Sequence, residues 1–232
     1  MSIFSEIIKG FAGLFWPNVC VCCSTALMRG EEYICAHCIH GLPKTDFHKI
    51  DNNPVAQIFW GRALLENATA HYFFSKGNRV QKLVYQLKYK GQKEIGTILG
   101  QEMGKSLRGS RFSEIDIIVP VPLHSQKLRK RGYNQSEWIA QGVAKILDKP
   151  VDVNTLARLF FSDSQTRKKR FDRWQNVNCG FGLTNSDTFA GQHILLIDDV
   201  ITTGATLEAC INAVLSVPET KVSVAALTFA TA

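Results

Sequence analysis

One segment, ILLIDDVITTGAT from Ile194 to Thr206, constrains this chain more than any other. Ile194 to Ile197 is an unbroken apolar run, the pattern of a strand buried on both faces, and such strands belong to parallel sheets covered by helices. Two carboxylates, Asp198 and Asp199, end the run abruptly. Charges cannot continue into such a core, so they must lie where the strand emerges at the carboxyl edge of the sheet. Open α/β sheets bind their ligands at that edge. The next residues, Thr202-Thr203-Gly204-Ala205-Thr206, open a helix. Backbone N–H groups at a helix start, small hydroxyls and a glycine that permits close approach form a cradle for a phosphate. In front of it, Asp198 and Asp199 are placed to accept hydrogen bonds from the vicinal hydroxyls of a ribose.

Two other readings compete for this segment. Capping of the helix by Asp199 or Thr202 needs only one polar residue and leaves the pattern DDxxTTGAT unexplained. An ATPase strand of the Walker-B kind needs a P-loop, and the nearest match, Gly100 to Ser106, has Leu99 where G-x-x-x-x-G-K-[ST] requires glycine. Ile95, Leu99, Met103 and Leu107 run through that match at helical spacing, which places it inside a helix. The ATPase reading is excluded.

Strand and helix patterns alternate along most of the chain. Strands are expected at Ala68 to Phe74, Asp116 to Pro122, His193 to Asp199 and Val222 to Phe229, with an extended stretch at Thr155 to Phe161. Helices are expected through Val80, Leu83, Val84 and Leu87, over Glu94 to Leu107, through Trp138, Ile139, Val143 and Ile146, and from about Ala205 to Leu215. The alternation predicts an α/β fold with a mainly parallel sheet flanked by helices. With 232 residues, 45% of them hydrophobic, the chain can bury one full core and carry a small appendage. A polar, turn-rich stretch around Lys49 to Pro54 divides residues 1–54, an N-terminal helix and cysteine module, from residues 55–232, the main domain.

Within the appendage, five of the seven cysteines fall between Cys20 and Cys38. Cys20-x2-Cys23 and Cys35-x2-Cys38 offer two thiolate pairs for one tetrahedral Zn²⁺, each pair expected on a tight turn, with Cys22, His37 and His40 as competing ligands. Four protein ligands leave no open position for a catalytic water, so the ion is read as structural. Cys179 and Cys210 lie in or beside apolar segments and read as core residues. In front of the module, Phe4, Ile7, Ile8, Phe11, Leu14 and Phe15 recur at helical spacing in one amphipathic helix. That segment lacks the marks of a secretory signal and is too short to span a membrane, and clustered thiols fit a metal site in the cytosol.

A net charge of +7 favours anionic partners. Two basic stretches stand out. Lys127, Arg129, Lys130 and Arg131 follow the strand that ends near Val121, where they suit a pyrophosphate, and the guanidinium forks of Arg129 and Arg131 suit it better than Lys127. Gln165 to Arg173 holds Arg167, Lys168, Lys169, Arg170 and Arg173 beside Phe171 and Trp174, a mixture that also suits single-stranded nucleic acid.

The ILLIDDVITTGAT segment resembles the 5-phosphoribosyl-1-pyrophosphate (PRPP) signature of type I phosphoribosyltransferases. The cysteine module, LKYKG (Leu87 to Gly91), VPVPL (Val119 to Leu123) and RGYNQSE (Arg131 to Glu137) narrow the resemblance to the ComF family of competence-associated proteins. It implies a phosphoribosyltransferase-like domain behind a zinc ribbon, Mg²⁺-PRPP as ligand, Asp198 and Asp199 on the ribose, and Thr202, Thr203, Gly204, Ala205 and Thr206 on the 5-phosphate. It further implies that Leu123, His124, Lys127, Arg129 and Arg131 contact pyrophosphate, while a loop carrying Arg167 and Arg170 closes over it. For the whole protein it implies a part in DNA uptake during natural transformation, beside a helicase partner and single-stranded DNA.

Overall fold

The computed structural model describes residues 18–158 and 180–230. A short helix α1 (Ala36–His40) follows the first cysteines, and α2 (Pro54–Ile58) follows the turn-rich stretch. Asn53 starts α2 because its side chain accepts from the N–H groups of Val55 and Ala56, while Pro54 occupies the first turn, where no N–H is needed. Then come β1 (Asn67–Phe74), α3 (Arg79–Tyr89), α4 (Glu94–Leu107), β2 (Ile117–Pro120), α5 (Ser125–Arg131) and α6 (Gln135–Leu147). The chain closes with β3 (Leu156–Arg158), β4 (Phe181–Leu183), β5 (His193–Ile201), α7 (Ala205–Val214) and β6 (Lys221–Ala230).

Four strands form the main sheet in the order β1-β6-β5-β2, and each neighbouring pair is parallel. The central strand β5 carries the apolar run, so its side chains divide between two cores. Leu195 and Ile197 join Leu83 and Leu87 of α3, Leu99 of α4 and Val143 of α6. Ile194 and Leu196 join Phe59, Phe189 and Leu207, Ile211 and Val214 of α7. From Asp198 the burial loosens: Asp198, Asp199 and Val200 are partly buried, and Ile201 is buried again.

On the first face α4 and α6 touch backbone to backbone. A Cβ on Gly100 would lie 2.2 Å from the Ile139 carbonyl oxygen, and one on Gly142 would lie 2.3 Å from that of Thr97. Only hydrogen fits at either place, so these glycines set how near α6 comes to α4. The cysteine module shares this core, since Cys20, Ile34, Cys38 and Leu42 are buried in one cluster with Tyr72, Val80 and Leu83.

Short segments run along both margins of the sheet. Beside β1, the N–H of Thr45 donates to the His71 carbonyl and that of Phe73 donates to Pro43. Beside β2, Ile118 donates to the Pro150 carbonyl and accepts from the N–H of Asp152.

Sheet, helices and strand directions agree with the sequence pattern. Three details differ. The basic residues after β2, which show no apolar period, form the helix α5, ended by Gly132 at φ 80°. The extended stretch begins as expected at Leu156 but pairs antiparallel with β4, outside the main sheet. The helix α2 was unforeseen, because five residues are too few to show a period. The helix expected over Met1 to Phe15 and the residue Cys179 lie outside the described residues. Among the described residues no helix is long and apolar enough to cross a membrane.

Candidate metal centre and carboxylate edge

Cys20, Cys23, Cys35 and Cys38 converge, with their sulfur atoms all within 4.8 Å of one another. The first pair lies on a tight turn closed by Ser24 N–H donating to Cys20 C=O at 2.8 Å and Cys20 N–H donating to Thr25 C=O at 2.9 Å. The second pair sits differently from the expected turn: Cys35 caps α1 and Cys38 lies within it. The Cys23 and Cys35 sulfurs are 3.7 Å apart. That matches the edge of about 3.8 Å for a tetrahedron of sulfurs bonded at roughly 2.3 Å, so the donor set fits an ion such as Zn²⁺. Backbone N–H groups of Cys22 and Cys35 point at Cys20 Sγ, at 3.4 and 3.3 Å, as suits a thiolate. Cys22 is not one of the four mutually close sulfurs; burial, with the charge of Cys20 adding, pushes its thiol up to about 11. Of the two neighbours, it is Cys23 whose sulfur joins those of Cys20, Cys35 and Cys38. Cys210 is fully buried in the core, as expected.

At the other site, β5 delivers Asp198 and Asp199 to the carboxyl edge, and the chain turns through Thr202 and Thr203 into α7. Gly204 holds φ 74°, and a Cβ there would meet Ile58 Cγ2 at 2.5 Å, so both conformation and packing require glycine. Gly204 is itself the N-cap and no side chain caps α7, which removes the capping role considered for Asp199 and Thr202. Asp198 and the residues from Val200 to Leu207 surround a recess of about 50 Å³. Arg62 braces this loop from outside, donating to the Thr203 carbonyl at 2.9 Å and pairing with Glu208. A larger cavity of about 530 Å³ lies elsewhere, beside the first residues of β1.

The two carboxylates stand in unlike surroundings. Asp198 Oδ1 accepts from the N–H of Asp199 at 2.8 Å and from the Ser136 hydroxyl at 3.1 Å. Burial, and then the negative charge of Asp199, push Asp198 up to about 7 in spite of those hydrogen bonds and the nearby Lys88. Asp199 Oδ2 pairs with Lys88 Nζ at 3.0 Å. Its carbonyl oxygen accepts from the Thr228 hydroxyl at 3.0 Å.

Lys88 and Ser136 come from LKYKG and RGYNQSE, and the structure shows what those segments do. Arg131 donates to Gln135 at 2.6 Å and lies over the Tyr89 ring, 5.2 Å from its centroid. The Tyr133 hydroxyl donates to the Leu87 carbonyl, and Asn134 starts α6 by accepting from the N–H of Ser136 while donating to Val121. So α3, the end of β2 and the start of α6 are tied together beside Asp198 and Asp199. Of the residues assigned to pyrophosphate, His124 caps α5 through Nδ1, Lys127 and Arg129 are exposed on α5, and Leu123 and Arg131 are partly buried. Arg167 and Arg170 lie outside the described residues.

Fold and edge together define a phosphoribosyltransferase-like α/β chain with a four-cysteine module. In sequence the chain is similar to proteins named for competence and DNA utilization, the resemblance the motifs implied. It is 30% identical over 138 residues to competence protein F of Haemophilus influenzae, 59% of this chain and 60% of that one. Identity is 33% over 129 residues to the DNA utilization protein YhgH of Salmonella typhimurium, covering 54% and 56%. Competence protein ComFC of Bacillus subtilis is 27% identical over 194 residues, 82% of this chain and 75% of that one. The chain thus spans about 60% of the length of the first relatives it matches. No protein-family model matches it. Among solved structures, an allosteric regulatory enzyme of purine biosynthesis shares 20% identity over 59% of this chain and 25% of that one, at a TM-score of 0.37. A hypoxanthine phosphoribosyltransferase of Staphylococcus aureus shares 16% over 60% and 62%, at 0.31.

Proposed function

We propose that the carboxyl edge binds Mg²⁺-PRPP and that the chain serves DNA uptake in the manner its relatives' names describe. The observation that carries the ligand assignment is the pair Asp198 and Asp199, emerging from β5 immediately before a glycine-tightened turn into α7. In this reading the two carboxylates accept from the ribose hydroxyls, and the backbone from Thr202 to Thr206 with its hydroxyls holds the 5-phosphate. Leu123 to Arg131 faces the pyrophosphate, with Arg167 and Arg170 reserved for closure. Mg²⁺ would neutralise pyrophosphate oxygens; oxygen donors at this edge fit such a hard cation. Attack at ribose C1 by an acceptor would release pyrophosphate, the basic groups stabilising the charge that grows on it. The cysteine module, in the same reading, carries a structural Zn²⁺ and forms the unit 1–54 ahead of the domain 55–232.

Calorimetric titration of PRPP, with and without Mg²⁺, into the wild type and an Asp198→Asn/Asp199→Asn double variant tests the site. Charge-assisted hydrogen bonds contribute about 1.5–3 kcal/mol each, so the double variant should lose at least roughly tenfold in affinity. Unchanged binding would sink the assignment. Pyrophosphate release measured across nucleobases, simple amines and water then separates transfer from binding alone.

A second reading, contact with single-stranded DNA, has its own support. Tyr85 and Tyr89 are exposed on α3 with ring centroids 5.3 Å apart, and Lys90 and Arg131 lie over their rings. Exposed rings beside cations suit stacked bases. Affinity for an oligonucleotide should drop steeply with salt and drop further in Tyr85→Ala/Tyr89→Ala. A flat salt response would remove this reading and leave the ligand site untouched.

A further inference from the structure

Lys88 stands on the last turn of α3, its side chain only 18% exposed and its ammonium 3.0 Å from Asp199 Oδ2, whose own side chain is 14% exposed. An ammonium so enclosed is costly without a counter-charge, and Asp199 supplies it. The residues on either side of Lys88 fasten it to the other half of the site. The Leu87 carbonyl accepts from Tyr133, and the Tyr89 ring lies beneath the Arg131 guanidinium. Lys88 therefore sits between the carboxylate assigned to the ribose and the basic segment assigned to the pyrophosphate.

That position creates a conflict which a ligand must resolve. Asp198 Oδ1 already accepts two hydrogen bonds, from Ser136 and from the N–H of Asp199, while Asp199 Oδ2 holds the lysine. Ribose hydroxyls that take Oδ2 of Asp199 compete with the ammonium for that oxygen. Resting on the PRPP reading, we propose that Lys88 is a ligand-exchange residue: it neutralises Asp199 until ribose hydroxyls take that carboxylate, then transfers its ammonium to the pyrophosphate oxygens of the same ligand. The ribose end of the ligand breaks an ion pair and the pyrophosphate end remakes one. Binding of the two ends is thereby coupled through one side chain.

The coupling predicts opposite responses from two fragments of the ligand. Full-length wild type, Lys88→Met and Lys88→Arg are titrated with PRPP, ribose 5-phosphate and inorganic pyrophosphate, each with Mg²⁺. Lys88→Met keeps the buried stem and removes the charge. It should weaken pyrophosphate and PRPP ten- to a hundredfold, as expected for one charge-assisted contact. Ribose 5-phosphate should bind as tightly as before or more tightly, because nothing has to be displaced from Asp199. Lys88→Arg should recover most of the pyrophosphate affinity. Equal weakening of all three ligands would mark Lys88 as structural and overturn the exchange, as would pyrophosphate binding that ignores the substitution. Lys88→Gln repeats the comparison if the methionine variant does not fold, with thermal unfolding as the check. Where the wild type binds PRPP but the variants show no split, the exchange alone is disproved, whereas a wild type that binds none of the three removes the PRPP reading beneath it.

Discussion

The cysteine module and the carboxylate edge solve the same electrostatic problem in different ways. Each gathers groups that repel one another when ionised: four thiols within 4.8 Å in one, two adjacent aspartates in the other. The four thiols fit a metal ion as their neutralising charge. At the edge the chain supplies the compensation itself, with Lys88 on Asp199 and two hydrogen bonds on Asp198. A metal-dependent cluster is lost with its ion, whereas a self-compensated pair keeps its shape and responds to pH and ligands.

The largest expected effect comes from breaking the first of these. If the module carries the proposed Zn²⁺, Cys35→Ser, or stripping with a strong chelator, removes the tie between the turn and α1. The module shares its core with Tyr72, Val80 and Leu83, so the loss reaches the sheet. Metal binding in such modules is itself folding free energy. A loss of about 5 kcal/mol would lower Tm by roughly 10–20 °C in a chain of this size. Bound zinc per chain and a thermal melt read both quantities. Unaltered melting without metal would mean that packing alone holds the module.

An intermediate effect is expected at Asp198, with a definite sign. Its folded-state pKa of about 7 lies above the ordinary 3.8, so the folded chain holds a proton that the unfolded chain has released. The cost is absent below about pH 4, grows as pH rises towards 7 and stands in full above it. Asp198→Asn keeps an oxygen for Ser136 and Asp199 N–H but carries no charge. It should match the wild type in stability at pH 4 and exceed it at pH 8, as followed by urea unfolding. The opposite order at pH 8 would show that the edge stabilises a charged Asp198.

Ser136→Ala should give the smallest change. It removes one hydrogen bond of 3.1 Å to Asp198, a matter of about 1 kcal/mol, and should weaken PRPP binding only severalfold. A hundredfold loss would mean that Ser136 touches the ligand itself.

Much of this was legible in the sequence because periodicity reports burial. Leu195 and Ile197 face one core and Ile194 and Leu196 the other, so the four-residue apolar run announced a strand covered on both sides. Two CxxC pairs announced a tetrahedral donor set for a similar reason, since ligand spacing is local. Lys88 was not legible as a partner of Asp199. The two are 111 positions apart in sequence, and nothing in LKYKG says which way a lysine on the last turn of α3 points. Ser136 was hidden likewise, because its reach to Asp198, 62 positions away, depends on how α6 packs beside β5. The helix α5 shows no period in the sequence because it buries none of its residues and so leaves no apolar stripe.

The segments along β1 and β2 have a consequence for association between molecules. A strand at the margin of a sheet offers a template on which another chain can extend the sheet. Here Pro43 to Thr45 holds part of one margin, and Pro150 to Asp152 holds part of the other. Added strands are thereby blunted on both sides. Pro43 lies three residues beyond α1, so the strip that covers this margin is anchored at its start by the cysteine module.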